Sequence, residues 1–185
     1  MWKTLRQIAT TGIVTEPAPQ ADPALKLRDA LQERILGIMG RALCIRAVDA
    51  GSCNGCELEI HALNNPVYNL EGLGIRFVAS PRHADLLLVT GPVARSMEAA
   101  LLATFEATPE PRLVVAIGDC GCTGGVFGES YASCGRVSNV IPVDVAVPGC
   151  PPSPVRIMAG ILAAITPGSA AGRGSSPELR QAGSP

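Results

Sequence analysis

Seven cysteines, at positions 44, 53, 56, 120, 122, 134 and 150, are the residues of this chain best suited to chemistry. An odd number cannot close into a full set of disulfides. The segment after Met1 lacks the continuous apolar stretch and cleavage site of a secretory leader, so the sequence predicts a chain kept in a reducing compartment. There, thiols serve as metal ligands, as nucleophiles or as inert packing.

Their spacing points to metal. Cys53-Asn-Gly-Cys56 is a close pair that lets neighbouring thiolates reach neighbouring irons of a [4Fe–4S] cluster, for which four thiolates are the usual ligand set. Pro151 directly after Cys150 gives the Cys-Pro ending of ferredoxin-type cluster motifs. Asp119-Cys120-Gly121-Cys122 offers two thiols for one further ligand. The candidate ligands are therefore Cys53, Cys56, Cys120 and Cys150, with Cys122 competing for the place of Cys120. A zinc site with four cysteines is the main rival, but such sites more often use two compact pairs. Here the third and fourth ligands stand alone on remote segments. A metal-stabilised scaffold with no redox role is a second rival, and a thioredoxin-like disulfide would leave Cys120 and Cys150 without a task. Cys134 reads as a spare thiol, Cys44 as a small buried hydrophobe inside a strand, and His61 as a surface or interfacial residue.

Glycines crowd the same segments, among them Gly51, Gly55, Gly118, Gly124, Gly125 and Gly149. Without Cβ atoms the backbone can approach a cluster and aim N–H groups at its sulfurs. The run Gly118–Gly125 has neither the Lys-Ser/Thr ending of a P-loop nor the glycine spacing of a dinucleotide fold.

The elements that must position these cysteines follow from the apolar pattern. Strands are expected at Leu86–Thr90 and Leu113–Ile117, where Leu86–Val89 and Leu113–Ile117 are apolar on successive residues, as in strands covered on both faces. Further strands are expected at Ala42–Val48 and Ile75–Ala79, with a short one near Val140–Val143. Helices are expected after Cys56, after Ser96 and from Pro154 to about Ile165, the last with Ser153 before a first-turn proline. Asp22-Pro23 starts an earlier helix with an apolar stripe of Leu27, Leu31, Ile35 and Ile38, ending at Gly40. This alternation predicts a three-layer α/β domain with a mainly parallel sheet. In such a sheet the loops holding Cys53, Cys56, Cys120 and Cys150 all emerge at the carboxyl ends of the strands, where open α/β sheets build sites.

The division expected is an N-terminal arm and helix over residues 1–41, a cluster-binding α/β domain over 42–165, and a disordered tail over 166–185. In the arm, Trp2, Leu5, Ile8 and Ile13 fall near helical spacing, with Lys3 and Arg6 on other faces. That pattern suits a helix that docks on a membrane surface or a partner.

Composition narrows the function. Of 185 residues, 47% are hydrophobic, enough for a core, but only 3% are aromatic, which favours close backbone packing and burial against partners. Fifteen basic and 16 acidic residues leave a net charge of −1, which argues against a nucleic-acid partner. No apolar stretch approaches the ~20 residues that span a bilayer.

From about Ile45 to Ile165 the sequence resembles the small cluster-bearing subunit of energy-converting (group 4) [NiFe] hydrogenases and formate hydrogenlyase, itself similar to the 20 kDa (PSST) subunit family of respiratory complex I. The matching text is Gly51-Ser-Cys-Asn-Gly-Cys-Glu-Leu-Glu-Ile60, Ser80-Pro-Arg-His-Ala-Asp85, Gly118-Asp-Cys120, Gly124-Gly-Val-Phe127, Ile141-Pro-Val-Asp144 and Val147-Pro-Gly-Cys-Pro-Pro152. The resemblance implies a flavodoxin-like fold, one [4Fe–4S] cluster and electron relay within an oxidoreductase complex, with no activity of the chain alone. It implies as partners a [NiFe]-hydrogenase-type (or complex I-type) large subunit, a ferredoxin-like iron–sulfur subunit and membrane subunits. The implied location is cytoplasmic, peripheral on that face of the membrane through the complex. It also decides for Cys120 over Cys122, because the family ligand follows the step supplied by Gly118-Asp119. Complex I members typically have adjacent cysteines where this chain has the spaced Cys53 and Cys56, which favours the hydrogenase-like branch over a quinone-reducing one. Glu59 matches an acidic position near the complex I quinone site.

Overall fold

The two most continuous apolar runs form the middle of a parallel sheet. A computed structural model describes residues 2–11 and 23–166. In chain order it contains α1 (Trp2–Thr11), α2 (Pro23–Met39), β1 (Leu43–Asp49), α3 (Gly55–Ala62), β2 (Ile75–Phe77), β3 (Leu86–Thr90), α4 (Arg95–Ala107), β4 (Leu113–Ile117), α5 (Gly118–Thr123), β5 (Val145–Val147) and α6 (Pro154–Ile165). The five strands are all parallel in the order β2-β1-β3-β4-β5. This is the flavodoxin-like doubly wound order, with its switch point between β1 and β3.

Side chains alternate across the sheet, so each strand feeds two cores. Leu86, Leu88, Val115 and Ile117 face one layer, where Leu31 and Ile35 of α2 and Ile157, Met158 and Ile161 of α6 cover them. Leu87, Val89, Val114 and Ala116 face the other, with Leu101 of α4, Val137 and Ile141. All five residues of β3 are buried, the apolar Leu86–Val89 in the two cores and Thr90 with its hydroxyl donating to Val48 O at 3.3 Å. Gly160 lets α6 lie directly on β5, since a Cβ there would collide with Val147.

The fifth strand lies at Val145–Val147, not at Val140–Val143. Pro142 has no N–H to give a sheet. The residues before it wind instead into a 3₁₀ turn, with Val140 N donating to Val137 O at 2.9 Å. Pairing starts at Asp144, whose N–H donates to Val114 O at 2.9 Å while its carboxylate accepts from Val114 N at 2.8 Å. A second difference is α5, a short helix where the glycine-rich run suggested only a loop. A third is Cys44, which is half-buried on β1 and not a core residue. Thr166 still belongs to the end of α6, its hydroxyl donating to Leu162 O. The rest of the expected tail, and the arm between residues 12 and 22, lie outside the described residues.

Candidate metal centre

Three loops at the carboxyl edge of the sheet carry the four candidate ligands, and each is shaped by local chemistry. After β1, the Asp49 carboxylate accepts from both Gly51 N and Ser52 N at 2.8 Å, turning the chain sharply toward Cys53. Asn54, in the left-handed region at φ 71°, then redirects it into α3. Cys56 thereby stands in the first turn of α3, where free N–H groups and the helix dipole favour negative charge. After β4 the chain enters α5, which carries Cys120. After β5 it passes through Pro148 and Gly149 to Cys150 and Pro151.

The loops touch through glycines. A Cβ on Gly118 would sit 2.7 Å from Cys56 Sγ and 3.4 Å from Gly149 O. A Cβ on Gly125 would sit 2.9 Å from Cys120 Sγ, and one on Gly55 would lie 3.5 Å from Cys53 Sγ and 4.0 Å from Pro151 Cβ. Asp119 bridges the β4 and β5 loops twice: its N–H donates to Gly149 O at 2.9 Å and its carboxylate accepts from Gly149 N at 2.8 Å. Sequence reasoning missed this bridge, because nothing about an aspartate beside a cysteine announces a partner thirty residues away. Asp119→Ala is expected to leave the fold intact and cost roughly 1.5–3 kcal/mol in denaturant unfolding, the usual loss for a bond to a charged acceptor. It should also speed loss of bound iron to a chelator several-fold.

The four thiols share one electrostatic environment. Burial, then Glu57, Cys53, Cys120 and Cys150, push the Cys56 thiol up to about 12. Burial, then Cys150 and Cys53, also raise Cys120. Such thiols are protonated at neutral pH unless a cation displaces the proton. Cys53 and Cys150 are exposed at the mouth of the crevice. Among the described residues, no three His, Cys, Asp or Glu side chains group tightly enough to hold a single metal ion.

The remaining cysteines point elsewhere. Cys122 lies two residues past Cys120 on α5, on its other side, with Sγ 3.7 Å from Ala116 O. It lines a separate cavity of about 300 Å³ with Ser138, Val143 and Asp144. Burial raises its thiol to about 11. Cys134 is buried, its Sγ donating to Glu98 Oε2 at 3.3 Å. His61 is exposed on α3. A further feature that the sequence pattern does not signal is Glu57, whose two carboxylate oxygens are buried with no partner among the described residues. Nearby apolar side chains stand in solvent: Leu58 on α3, and Val126 and Phe127 directly after Gly125, with Val126 99% exposed.

Residues 53–164 match the family described as NADH ubiquinone oxidoreductase, 20 Kd subunit. The chain is 45% identical to the probable membrane-bound hydrogenase subunit mbhJ of Pyrococcus furiosus over 141 residues, 75% of this chain and 84% of that one. It is 40% identical to formate hydrogenlyase subunit 7 of Escherichia coli over 136 residues, 74% of this chain but only 53% of that one, so it spans about half of that relative's length. Among solved structures, a chain of the membrane-bound sulfane sulfur reductase, an archaeal respiratory membrane complex, aligns with a TM-score of 0.57 and 32% identity, covering 76% of this chain and 72% of the other.

Proposed function

The chain belongs to the NADH ubiquinone oxidoreductase 20 Kd subunit family, and from that premise we propose that it is the electron-relay subunit of a membrane-associated [NiFe]-hydrogenase-type complex. It holds one [4Fe–4S] cluster on Cys53, Cys56, Cys120 and Cys150. The observation that carries this reading is the crevice at the sheet edge, where three loops present four thiols and glycines stand where a Cβ would strike a sulfur.

The donor set suits iron–sulfur chemistry: four soft thiols, with no imidazole among them. The chain's own part is to hold and shield. Gly118 and Gly125 let Cys56 and Cys120 sit close against backbone, and the first turn of α3 offers N–H groups to negative charge. Because the folded chain keeps Cys56 and Cys120 protonated, loading releases protons and is favoured as pH rises. When bound, the cluster supplies one-electron exchange between a ferredoxin-like iron–sulfur subunit and the [NiFe]-type large subunit. The cluster-bearing unit is residues 42–165, preceded by an arm and helix and followed by a tail from 166.

Leu58, two residues past Cys56, and Val126 and Phe127, directly after Gly125, are exposed apolar side chains on the ligand-bearing segments and form the face toward the large subunit. Among the described residues no helix is long and apolar enough to cross a membrane. Association on the cytoplasmic face is therefore peripheral, through the membrane subunits of the complex.

A second reading is a complex I-type subunit that passes electrons to quinone, favoured by the family description itself. The spaced pair Cys53 and Cys56 and the identity to hydrogenase subunits favour the first. The test is to isolate the native complex through a tag on the chain's C-terminal end. The expected large subunit carries nickel, and the complex evolves or consumes hydrogen. A nickel-free complex that reduces quinone would overturn the choice of partner and leave the cluster untouched.

A further inference from the structure

We propose that α1 is an interfacial helix that docks this chain directly on an anionic lipid surface. The helix runs ten residues, Trp-Lys-Thr-Leu-Arg-Gln-Ile-Ala-Thr-Thr. At about 15 Å it cannot cross a bilayer, but it is long enough to lie along one. Trp2, Leu5 and Ala9 share one face at helical spacing, while Lys3, Thr4, Gln7 and Thr10 occupy the opposite side and Arg6 flanks the apolar stripe. Its only charges are positive, and it contains no acidic residue.

Among the described residues, nothing covers that face. Every side chain described in α1 is exposed, with Trp2 at 86% and Leu5 at 58%. A helix this short has no stability of its own in water and depends on what its apolar face buries. Charge decides between occupants. A ring-bearing apolar face flanked by Arg6, with Lys3 on the polar side and no carboxylate in the helix, matches the boundary between acyl chains and anionic headgroups, where Trp prefers to sit and each Lys or Arg adds attraction. The helix lies outside the family-matched segment, so the inference owes nothing to the family and goes beyond the relay reading.

Trp2 is the only tryptophan, so its emission reports on this helix alone. The experiment titrates the full anaerobic protein with vesicles of phosphatidylcholine, with or without phosphatidylglycerol. With the anionic vesicles, Trp2 emission is expected to shift to the blue and become shielded from a soluble quencher. The effect should fade at high salt and be absent with the neutral vesicles. Lys3→Gln/Arg6→Gln should weaken partitioning about 25-fold, at roughly fivefold per cation, and Leu5→Gln should abolish it. Iron content, read on the same samples, should not change in either variant, which separates this result from the fate of the cluster. No shift with either vesicle would overturn the proposal. So would an equal shift with both, or a shift that appears only when partner subunits are added without lipid.

Discussion

Cys120→Ser is expected to abolish cluster assembly, whereas Cys122→Ser and Cys134→Ser retain it. The three thiols differ in where they sit, not in type. Cys120 Sγ packs against the Gly125 backbone and shares its electrostatic environment with Cys53 and Cys150. Cys122 points back at Ala116 O, and Cys134 is held by Glu98 in the second core. A serine hydroxyl is far harder to deprotonate than a thiol and a poor ligand for iron, so one substitution at a ligand position removes the site. Iron in anaerobic preparations should fall from about four atoms per chain to below about one in Cys120→Ser and stay near four in the other two. Cluster loss in Cys122→Ser with retention in Cys120→Ser would reverse the assignment.

Gly118→Ala is expected to be nearly as severe, through geometry alone. Gly118 has φ +82°, a region costing an L side chain about 1–2 kcal/mol. The added Cβ would also lie 2.7 Å from Cys56 Sγ, closer than any real contact allows, so the sulfur must move. Most of the iron should be lost, with unfolding stability down by about 2–3 kcal/mol. Gly128 is the internal control: it has φ +54° and no heavy atom within 4 Å of an added Cβ. Gly128→Ala should show only the backbone strain of about 1 kcal/mol and keep its iron. Equal iron loss in both variants would mean that strain, and not the approach to Cys56, is at work.

The contrast between these positions shows what a sequence can carry. The central strands were legible because Leu86–Val89 and Leu113–Ile117 are apolar at every position, a pattern that suits a doubly covered strand. The parallel order then put the loops after β1, β4 and β5 at one edge, and with them the four cysteines. The fifth strand was misplaced because Val140–Val143 is as apolar as Val145–Val147. What separates them is Pro142 and the pairing of Asp144 with Val114, a contact made across thirty residues. Helix α5 was missed because Gly-Asp-Cys-Gly-Cys-Thr has low helix propensity, which packing against β4 and β5 overrides. The Asp119–Gly149 bridge, the unpartnered Glu57 oxygens and the burial of Cys56 depend on distant partners and leave no local trace.

Iron and acid-labile sulfide in the anaerobically purified chain, measured together with zinc, test the central claim most directly. The claim is that Cys53, Cys56, Cys120 and Cys150 hold one cubane at the edge of this sheet. It predicts about four iron and four sulfide per chain, with a paramagnetic signal on one-electron reduction. Stoichiometric zinc without sulfide would contradict it, leaving a structural metal site on the same fold.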